Sequence, residues 1–249
     1  MDKLVIRGGQ KLRGSLEVSG SKNTALPLMA AAVVAQGRST IDNVPSLRDI
    51  NTFSRVIGVT GAVVEWDASA HGLLIDASTI TRPEAPYELV KRMRASFYML
   101  GALLARTGQA RVSLPGGCAW GPRPVDLHIE GMKAFGAEID LDEGYVVARA
   151  TGGRLRGGRF TLTPSSVGAT VNLLLAASTA SGSSRIENAA CEPDIIVFGE
   201  ALKEMGARIH GLGTRTIEVE GVDGLTAAGL HNCPDRIELG TYMIAAAIS

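Results

Sequence analysis

The chain has 249 residues, of which 45% are hydrophobic and 20% are charged, a composition typical of a globular protein with one or two buried cores. Its 25 Lys and Arg residues balance its 25 Asp and Glu residues, so it lacks the basic excess that proteins use against nucleic acids or membrane surfaces, and neither partner is expected. The three cysteines have no spacing typical of a zinc site, and the longest apolar run, 26–35, is too short to span a bilayer. We therefore expect a cytoplasmic protein with reduced thiols and no metal.

A threefold internal repeat organises the chain. The tripeptide Gly-Ala-Xaa recurs at 61–63, 136–138 and 206–208, at intervals of 75 and 70 residues. Each copy follows a segment whose apolar residues fall at helical spacing, and its Gly is suited to end that helix. These amphipathic helices are predicted at 47–59, 125–135 and 195–205. Strand-like segments follow at 63–65, 145–148 and 216–219.

Each unit also begins with a helix that is apolar on nearly every side, and such a helix should be buried. These opening helices are predicted at 23–35, 94–105 and 168–179. Short strands follow them at 39–41, 111–114 and 184–186. Three copies of a βαβαββ-like unit predict an α/β fold with pseudo-threefold symmetry, helices inside and sheets outside. A generic open α/β sheet is the alternative interpretation.

The last residues resemble the start of a fourth unit. Residues 235–248 repeat the pattern of the opening helix at 166–177, and no strand follows them. Because an apolar helical face needs a packing partner, we expect the chain to be a fragment of a longer protein.

The segment most suggestive of chemistry is a Pro- and Gly-rich loop within 114–128, between a predicted strand and a predicted helix. Cys118 lies in this loop, and nearby cationic charge would favour its thiolate, so it could act as a nucleophile or proton donor. Arg123 offers a planar fork for phosphate or carboxylate. From these residues alone, an inert loop cysteine is an equally good interpretation.

Three further candidates occupy equivalent places, the N-terminal ends of the opening helices, where free N–H groups favour anions. They are Lys22 with its neighbour Asn23, then Arg94, and then Ser166. Each also has a simpler explanation: a solvated lysine, an exposed charge run and an N-cap serine. A threefold fold would bring these three ends together with Arg123 as one anion-binding face.

Several sequence blocks, in this order, resemble the UDP-N-acetylglucosamine enolpyruvyl transferases (1-carboxyvinyltransferases) of the EPSP synthase superfamily. The blocks are Ser-Lys-Asn at 21–23, Met-Arg-Ala-Ser at 93–96, Leu-Pro-Gly-Gly-Cys at 114–118, Gly-Pro-Arg-Pro-Val-Asp-Leu-His at 121–128, Ser-Val-Gly-Ala-Thr at 166–170, Glu-Asn-Ala-Ala at 187–190 and Pro-Asp-Arg-Ile-Glu at 234–238. The resemblance covers essentially the whole chain and implies the N-terminal portion of such an enzyme, with the pseudo-threefold inside-out α/β barrel of that fold.

This family transfers the enolpyruvyl group of phosphoenolpyruvate to the 3-hydroxyl of UDP-N-acetylglucosamine and releases phosphate, without a metal or organic cofactor. The resemblance implies that Cys118 protonates the methylene carbon, can form a covalent adduct, and is the target of fosfomycin. The residues implied to hold phosphoenolpyruvate are Lys22, Asn23 and Arg123. Those implied to bind the UDP-sugar are Arg94, Arg123, Pro124, Val125, Asp126, Leu127, Ser166, Val167 and Gly168. Two departures are the absence of the family's frequent lysine within 163–165, and Tyr98 where some members have Trp.

The resemblance also implies a domain division: 22–232 as an enolpyruvyl transferase domain, and 1–21 with 233–249 as pieces of a second, similar domain that is mostly absent. The absent C-terminal half would complete the site, so the chain alone is expected to have little or no turnover. Two other interpretations stay open. One is the related shikimate 3-phosphate enzyme, which lacks the cysteine loop, and the other is a non-catalytic module that binds a UDP-sugar.

Overall fold

Short helices and strands alternate along the chain in the computed structural model, which describes residues 3–5, 7–9, 11–67, 69–91, 93–115 and 125–249. The helices are α1 (Lys22–Val34), α2 (Arg48–Val59), α3 (Tyr87–Val90), α4 (Met99–Thr107), α5 (Asp126–Ala134), α6 (Val167–Ser178), α7 (Pro193–Glu204) and α8 (Arg236–Ile248), with 3-10 turns at Arg94–Tyr98 and Thr151–Gly153. The strands are β1 (Arg38–Asp42), β2 (Val63–Asp67), β3 (Gly72–Asp76), β4 (Glu84–Ala85), β5 (Gln109–Ser113), β6 (Ala137–Asp142), β7 (Tyr145–Ala150), β8 (Arg159–Thr161), β9 (Ser183–Glu187), β10 (Arg208–His210), β11 (Thr216–Glu220) and β12 (Gly229–His231).

Three four-stranded sheets are linked in a closed cycle. Their strand orders are β12-β1-β3-β2, β4-β5-β7-β6 and β8-β9-β11-β10. One strand of each sheet comes from the end of another unit and pairs in parallel: β4 with β5, β8 with β9, and β12 with β1. The last of these pairs, with Thr40 opposite Gly229, joins the third unit back to the first. The predicted pseudo-threefold α/β architecture is therefore confirmed, and the alternative of one open sheet is wrong.

The three opening helices α1, α4 and α6 form the centre of the fold. α4 packs against both of the others, and each also contacts a strand of its own unit. All residues of α1 from Thr24 to Val34 are buried. Aromatic residues make up only 4% of the chain, so Ala, Leu and Val fill this core, and small side chains let the helix axes approach closely. At Gly101 of α4 an added Cβ would lie 2.5 Å from the backbone oxygen of Asn172 on α6, so only glycine fits there.

Helices α2, α5 and α7 are the amphipathic helices of the three units, and each places one face against a central helix. Counted back from the Gly of each Gly-Ala pair, the same positions face inward in all three. Eight residues before that Gly stand Phe53, His128 and Phe198, all of them buried. Burying a phenyl side chain stabilises a fold by about 1.5–3 kcal/mol, so the two phenylalanines anchor their helices and the histidine is the exception.

Two details of the predicted elements are wrong. The helix predicted from Arg94 begins as a 3-10 turn, and its α-helical part starts at Met99. The strand segments predicted after the three Gly-Ala pairs are also not equivalent. The first is β2, which opens its hairpin, whereas the others are β7 and β11, which close theirs.

Both ends of the chain lie outside this core. Residues 11–17 contain no helix or strand and are exposed. Helix α8 has no buried residue, and its apolar residues Met243, Ile244 and Ile248 are more than 60% exposed. The two segments that lead outward pair with each other, since the Ser21 N–H donates to the Cys233 carbonyl at 2.7 Å. No helix in the described ranges is long and apolar enough to cross a membrane.

Candidate functional site

A cavity of about 390 Å³ lies at the N-terminal ends of the central helices. Its lining residues are Asn23, Arg94, Ala95, Phe97, Tyr98, His128, Ser166, Val167, Gly168, Asp194 and Arg236. A larger concavity of about 650 Å³ lies on the outer surface of the first sheet, against Asp42, Glu65 and Asp67. We take the smaller cavity as the candidate site, because cationic, hydroxyl and helix-terminal groups from all three units converge on it.

The structure brings together five of the residues singled out in the sequence. Asn23, Arg94, Ser166, Val167 and Gly168 all line this cavity. Lys22 is their immediate neighbour at the start of α1, and its Nζ lies 3.1 Å from Asp49 on α2. Cys118, Arg123 and Pro124 lie outside the described residues.

The remaining candidates stand at the start of α5. Val125 is buried and is the N-cap of that helix, Asp126 is exposed in its first turn, and Leu127 is half-buried. None of these three lines the cavity, but the next residue, His128, does.

Helix α6 presents its N-terminus to the cavity. The Ser166 hydroxyl accepts a hydrogen bond from the Ala169 N–H at 3.3 Å and so caps the helix. The N–H groups of Val167 and Gly168 belong to the first turn and have no acceptor within the helix. Together with the helix dipole, they favour an anion at this end.

Replacing Ser166 with Ala is expected to lower the free energy of unfolding by about 1 kcal/mol, because the Ala169 N–H loses its acceptor. Urea denaturation followed by circular dichroism measures the change. Ser166→Asn, which can still cap, is the matched control and should stay close to the wild type. Equal stability of the Ala and Asn variants would contradict the capping role.

The cavity lining also holds an ion pair between a buried carboxylate and a half-exposed arginine. Arg236 at the start of α8 donates from Nε to Asp194 Oδ2 at 2.7 Å, and the hydroxyls of Thr24 and Ser21 donate to Asp194 Oδ1 at 2.9 and 3.1 Å. Burial raises the pKa of Asp194, but the hydrogen bonds from Arg236, Thr24 and Ser21 together outweigh it and hold that pKa below its usual value. Asp194 therefore stays ionised and fixes the Arg236 guanidinium at the edge of the cavity.

Two aromatic side chains keep their neutral forms in the cavity wall. Burial, reinforced by the charge of Arg94, lowers the pKa of His128 to about 3. Burial raises the pKa of Tyr98 to about 12. At neutral pH the site therefore offers an uncharged imidazole and a protonated phenol beside cationic groups. Among the described residues, no three side chains of His, Cys, Asp or Glu are grouped as a metal site.

The sequence interpretation did not single out His128, Asp194 or Arg236 as site residues. The signal for His128 was present, because it replaces a phenylalanine of the other two repeats. Asp194 and Arg236 gave no local signal, since their side chains meet across 42 residues of sequence.

Comparison with known proteins gives the chain its family. The family model described as EPSP synthase (3-phosphoshikimate 1-carboxyvinyltransferase) matches residues 6–249. Proteins named UDP-N-acetylglucosamine 1-carboxyvinyltransferase are 54% identical in Chloroherpeton thalassium and 53% identical in Trichlorobacter lovleyi, over 100% of this chain. The chain spans only 58% and 59% of those two relatives.

Two solved structures of enolpyruvyl transferases have a fold similar to that of this chain. The enolpyruvyl transferase NikO from Streptomyces tendae matches with a TM-score of 0.83 and 27% identity, over 96% of this chain and 56% of that one. An EPSP synthase from Acinetobacter baumannii has a TM-score of 0.74 at 18% identity, over 97% of this chain and 54% of that one, and supports the fold alone. The resemblance drawn from the sequence motifs is confirmed, and the chain belongs to the EPSP synthase family.

Proposed function

We propose that this chain is the N-terminal part of an enzyme that transfers the enolpyruvyl group of phosphoenolpyruvate to the 3-hydroxyl of UDP-N-acetylglucosamine and releases phosphate, the first committed step of peptidoglycan synthesis. The observation that carries the proposal is the 54% identity, over the whole chain, to a relative of that name. The family model is named after the shikimate 3-phosphate enzyme, but the EPSP synthase structure is only 18% identical, which favours the UDP-sugar as acceptor.

In this proposal the cavity binds the UDP-sugar. The first-turn N–H groups of Val167 and Gly168, the Ser166 hydroxyl and Arg94 supply donors for its diphosphate. Val125, Asp126 and Leu127, at the start of α5, are assigned to the nucleoside end, together with Pro124. The cavity size of about 390 Å³ falls in the range of small-molecule sites.

The chemistry is assigned to Lys22, Asn23, Arg123 and Cys118. The sugar hydroxyl gives its proton to a carboxylate that the second domain would supply and adds to C2 of phosphoenolpyruvate, while the Cys118 thiol gives a proton to C3; this forms a tetrahedral ketal and leaves a Cys118 thiolate. The thiolate then takes a proton back from C3 and phosphate departs from C2, which restores the double bond. Lys22, Asn23 and Arg123 hold the anion, and their positive charge and donors stabilise it as the ketal forms. These steps require neither a metal nor an organic cofactor.

We further propose that 22–232 is one domain and that 1–21 and 233–249 belong to a second, similar domain. The exposed apolar residues of α8 support this division, because such a face needs a packing partner. The greater length of the relatives supports it too. The second domain would complete the active site, so we expect little or no turnover from this chain alone. A cytoplasmic location fits a catalytic thiol, which needs a reducing compartment.

The test is phosphate release from phosphoenolpyruvate by a protein that extends this chain to the length of its relatives. We expect release with UDP-N-acetylglucosamine and none with shikimate 3-phosphate as acceptor. Release only with shikimate 3-phosphate would overturn the assigned acceptor. Saturable binding of the UDP-sugar without release would favour a binding module instead.

Fosfomycin labelling, read by intact-mass spectrometry, tests the role of Cys118 in the same protein. We expect one adduct that disappears in Cys118→Ser and persists in the matched control Cys191→Ser, since Cys191 is an exposed thiol. An adduct that instead disappears in Cys191→Ser would contradict the assignment.

A further inference from the structure

The second repeat places a polar ring where the other two place an apolar one. Phe53, His128 and Phe198 each stand eight residues before the Gly of their Gly-Ala pair. The two phenylalanines are 0% exposed and His128 is 3% exposed. A buried imidazole is costly unless its nitrogens are hydrogen-bonded. The fold alone is satisfied by phenylalanine at this position, so the histidine calls for a separate explanation.

One ring nitrogen of His128, Nδ1, has a hydrogen-bond partner in the fold. Asn172 Oδ1 accepts the Gly101 N–H at 2.8 Å, and a backbone N–H can only donate, so the Asn172 NH₂ group must face the other way. That group donates to the Phe97 carbonyl at 3.0 Å and lies 2.7 Å from His128 Nδ1. Nδ1 is therefore an acceptor, and in the neutral ring the proton is on Nε2.

The other nitrogen has no partner among the residues that the structure describes. His128 lines the cavity, and its Cε1–Nε2 edge faces Gly168 in the first turn of α6. A Cβ at Gly168 would lie 3.3 Å from Cε1 and 3.4 Å from Nε2. Glycine at 168 therefore lets the imidazole lie against the helix N-terminus, beside the free N–H groups of that turn.

We propose that His128 is a substrate-binding residue whose Nε2–H donates a hydrogen bond to a phosphate oxygen of the UDP-sugar at the N-terminus of α6. This inference rests on the proposed function and assigns one further donor to its binding site. The bound oxygen supplies the acceptor that no described residue provides for the Nε2–H, which lies on a ring that is 3% exposed and lines the cavity. Because Asn172 holds the tautomer, the donor is oriented before the ligand arrives, which reduces the entropy cost of binding.

The test compares His128→Phe with His128→Gln in the protein extended to the length of its relatives. Phe is the residue of the equivalent positions, so this variant is expected to fold, and it removes the donor. Gln can place an amide nitrogen near the position of Nε2 and restore it. We expect the Kd for UDP-N-acetylglucosamine, measured by calorimetry, to rise about 10- to 100-fold in the Phe variant, as for the loss of one hydrogen bond to a charged group. The Gln variant should stay within about threefold of the wild type, and the KM for phosphoenolpyruvate should change in neither.

The possible outcomes separate this inference from the function on which it rests. A wild-type protein that turns over the UDP-sugar, with a Phe variant that binds it equally tightly, would leave the function standing and make His128 a core residue only. A wild type that neither binds nor turns over the UDP-sugar would overturn both. Imidazole ¹⁵N spectra of the wild type add a test that needs no variant. We expect the Nε2–H tautomer at pH 7 and a shift of that N–H on adding UDP-N-acetylglucosamine; an Nδ1–H tautomer, or no shift on saturation, would contradict the proposal.

Discussion

Gly101→Ala is expected to lower the free energy of unfolding by about 3–4 kcal/mol, the combined cost of an overpacked helix contact and a poorly paired buried donor. The new Cβ would lie 2.5 Å from the Asn172 backbone oxygen and 2.6 Å from its Oδ1, so α4 and α6 would have to separate. Overpacking of this kind costs about 1–3 kcal/mol. Separation would also stretch the hydrogen bond from the Gly101 N–H to Asn172 Oδ1, now 2.8 Å, and leave a buried donor poorly paired.

Gly58→Ala is the matched control, because Gly58 also lies within a helix but an added Cβ there meets no atom within 4 Å. It should raise the free energy of unfolding by about 0.4–1 kcal/mol, since alanine restricts the unfolded chain. Urea denaturation of both variants at pH 7 measures the two effects. Equal and small changes in the two variants would show that the α4–α6 contact is more adaptable than the geometry indicates.

Some parts of the fold could be predicted from the sequence, and others could not. The central helices were predictable because α1 and α6 are apolar on almost every side, a pattern that only a buried helix sustains. The three units were predictable from the recurrent Gly-Ala pairs. The pairing of β12 with β1 was not predictable, because it joins residues almost 190 positions apart through strands of three and five residues. Strands that short give little alternation to detect.

Some residues of the candidate site could likewise be predicted from the sequence, and others could not. Asn23, Arg94 and Ser166 were found because each opens a repeat, and equivalent helix ends converge in a threefold fold. Asp194 and Arg236 escaped notice because their pairing depends on where α8 begins relative to α7, which no local pattern encodes. His128 was predictable in principle, by aligning the repeats and asking which core position had become polar.

The pH dependence of stability is expected to carry a clear contribution from His128. Burial, reinforced by the Arg94 charge, lowers its pKa from 6.5 to about 3 in the folded state. Between those values the unfolded state binds the proton and the folded state does not, so stability rises with pH across this window. Relative to pH 7, the contribution should lower the free energy of unfolding by about 2 kcal/mol at pH 5 and about 3 kcal/mol at pH 4.

Urea denaturation at pH 7, 6, 5 and 4, on the wild type and on His128→Phe, isolates this contribution. The Phe variant has no proton to bind at this position, so the difference in stability between the two proteins should shift by about 3 kcal/mol in favour of the variant between pH 7 and pH 4. The Asp194 carboxylate contributes to stability in a different pH range. Its pKa is lower in the folded state than the unfolded value of 3.8, so its contribution is present above pH 3.8 and is lost as the pH falls below that value. A pH-independent difference in stability between the two proteins would mean that the folded state protonates His128 freely. A protonated ring could not keep Nδ1 as a hydrogen-bond acceptor for Asn172. The Nε2–H would then lose the contact that orients it.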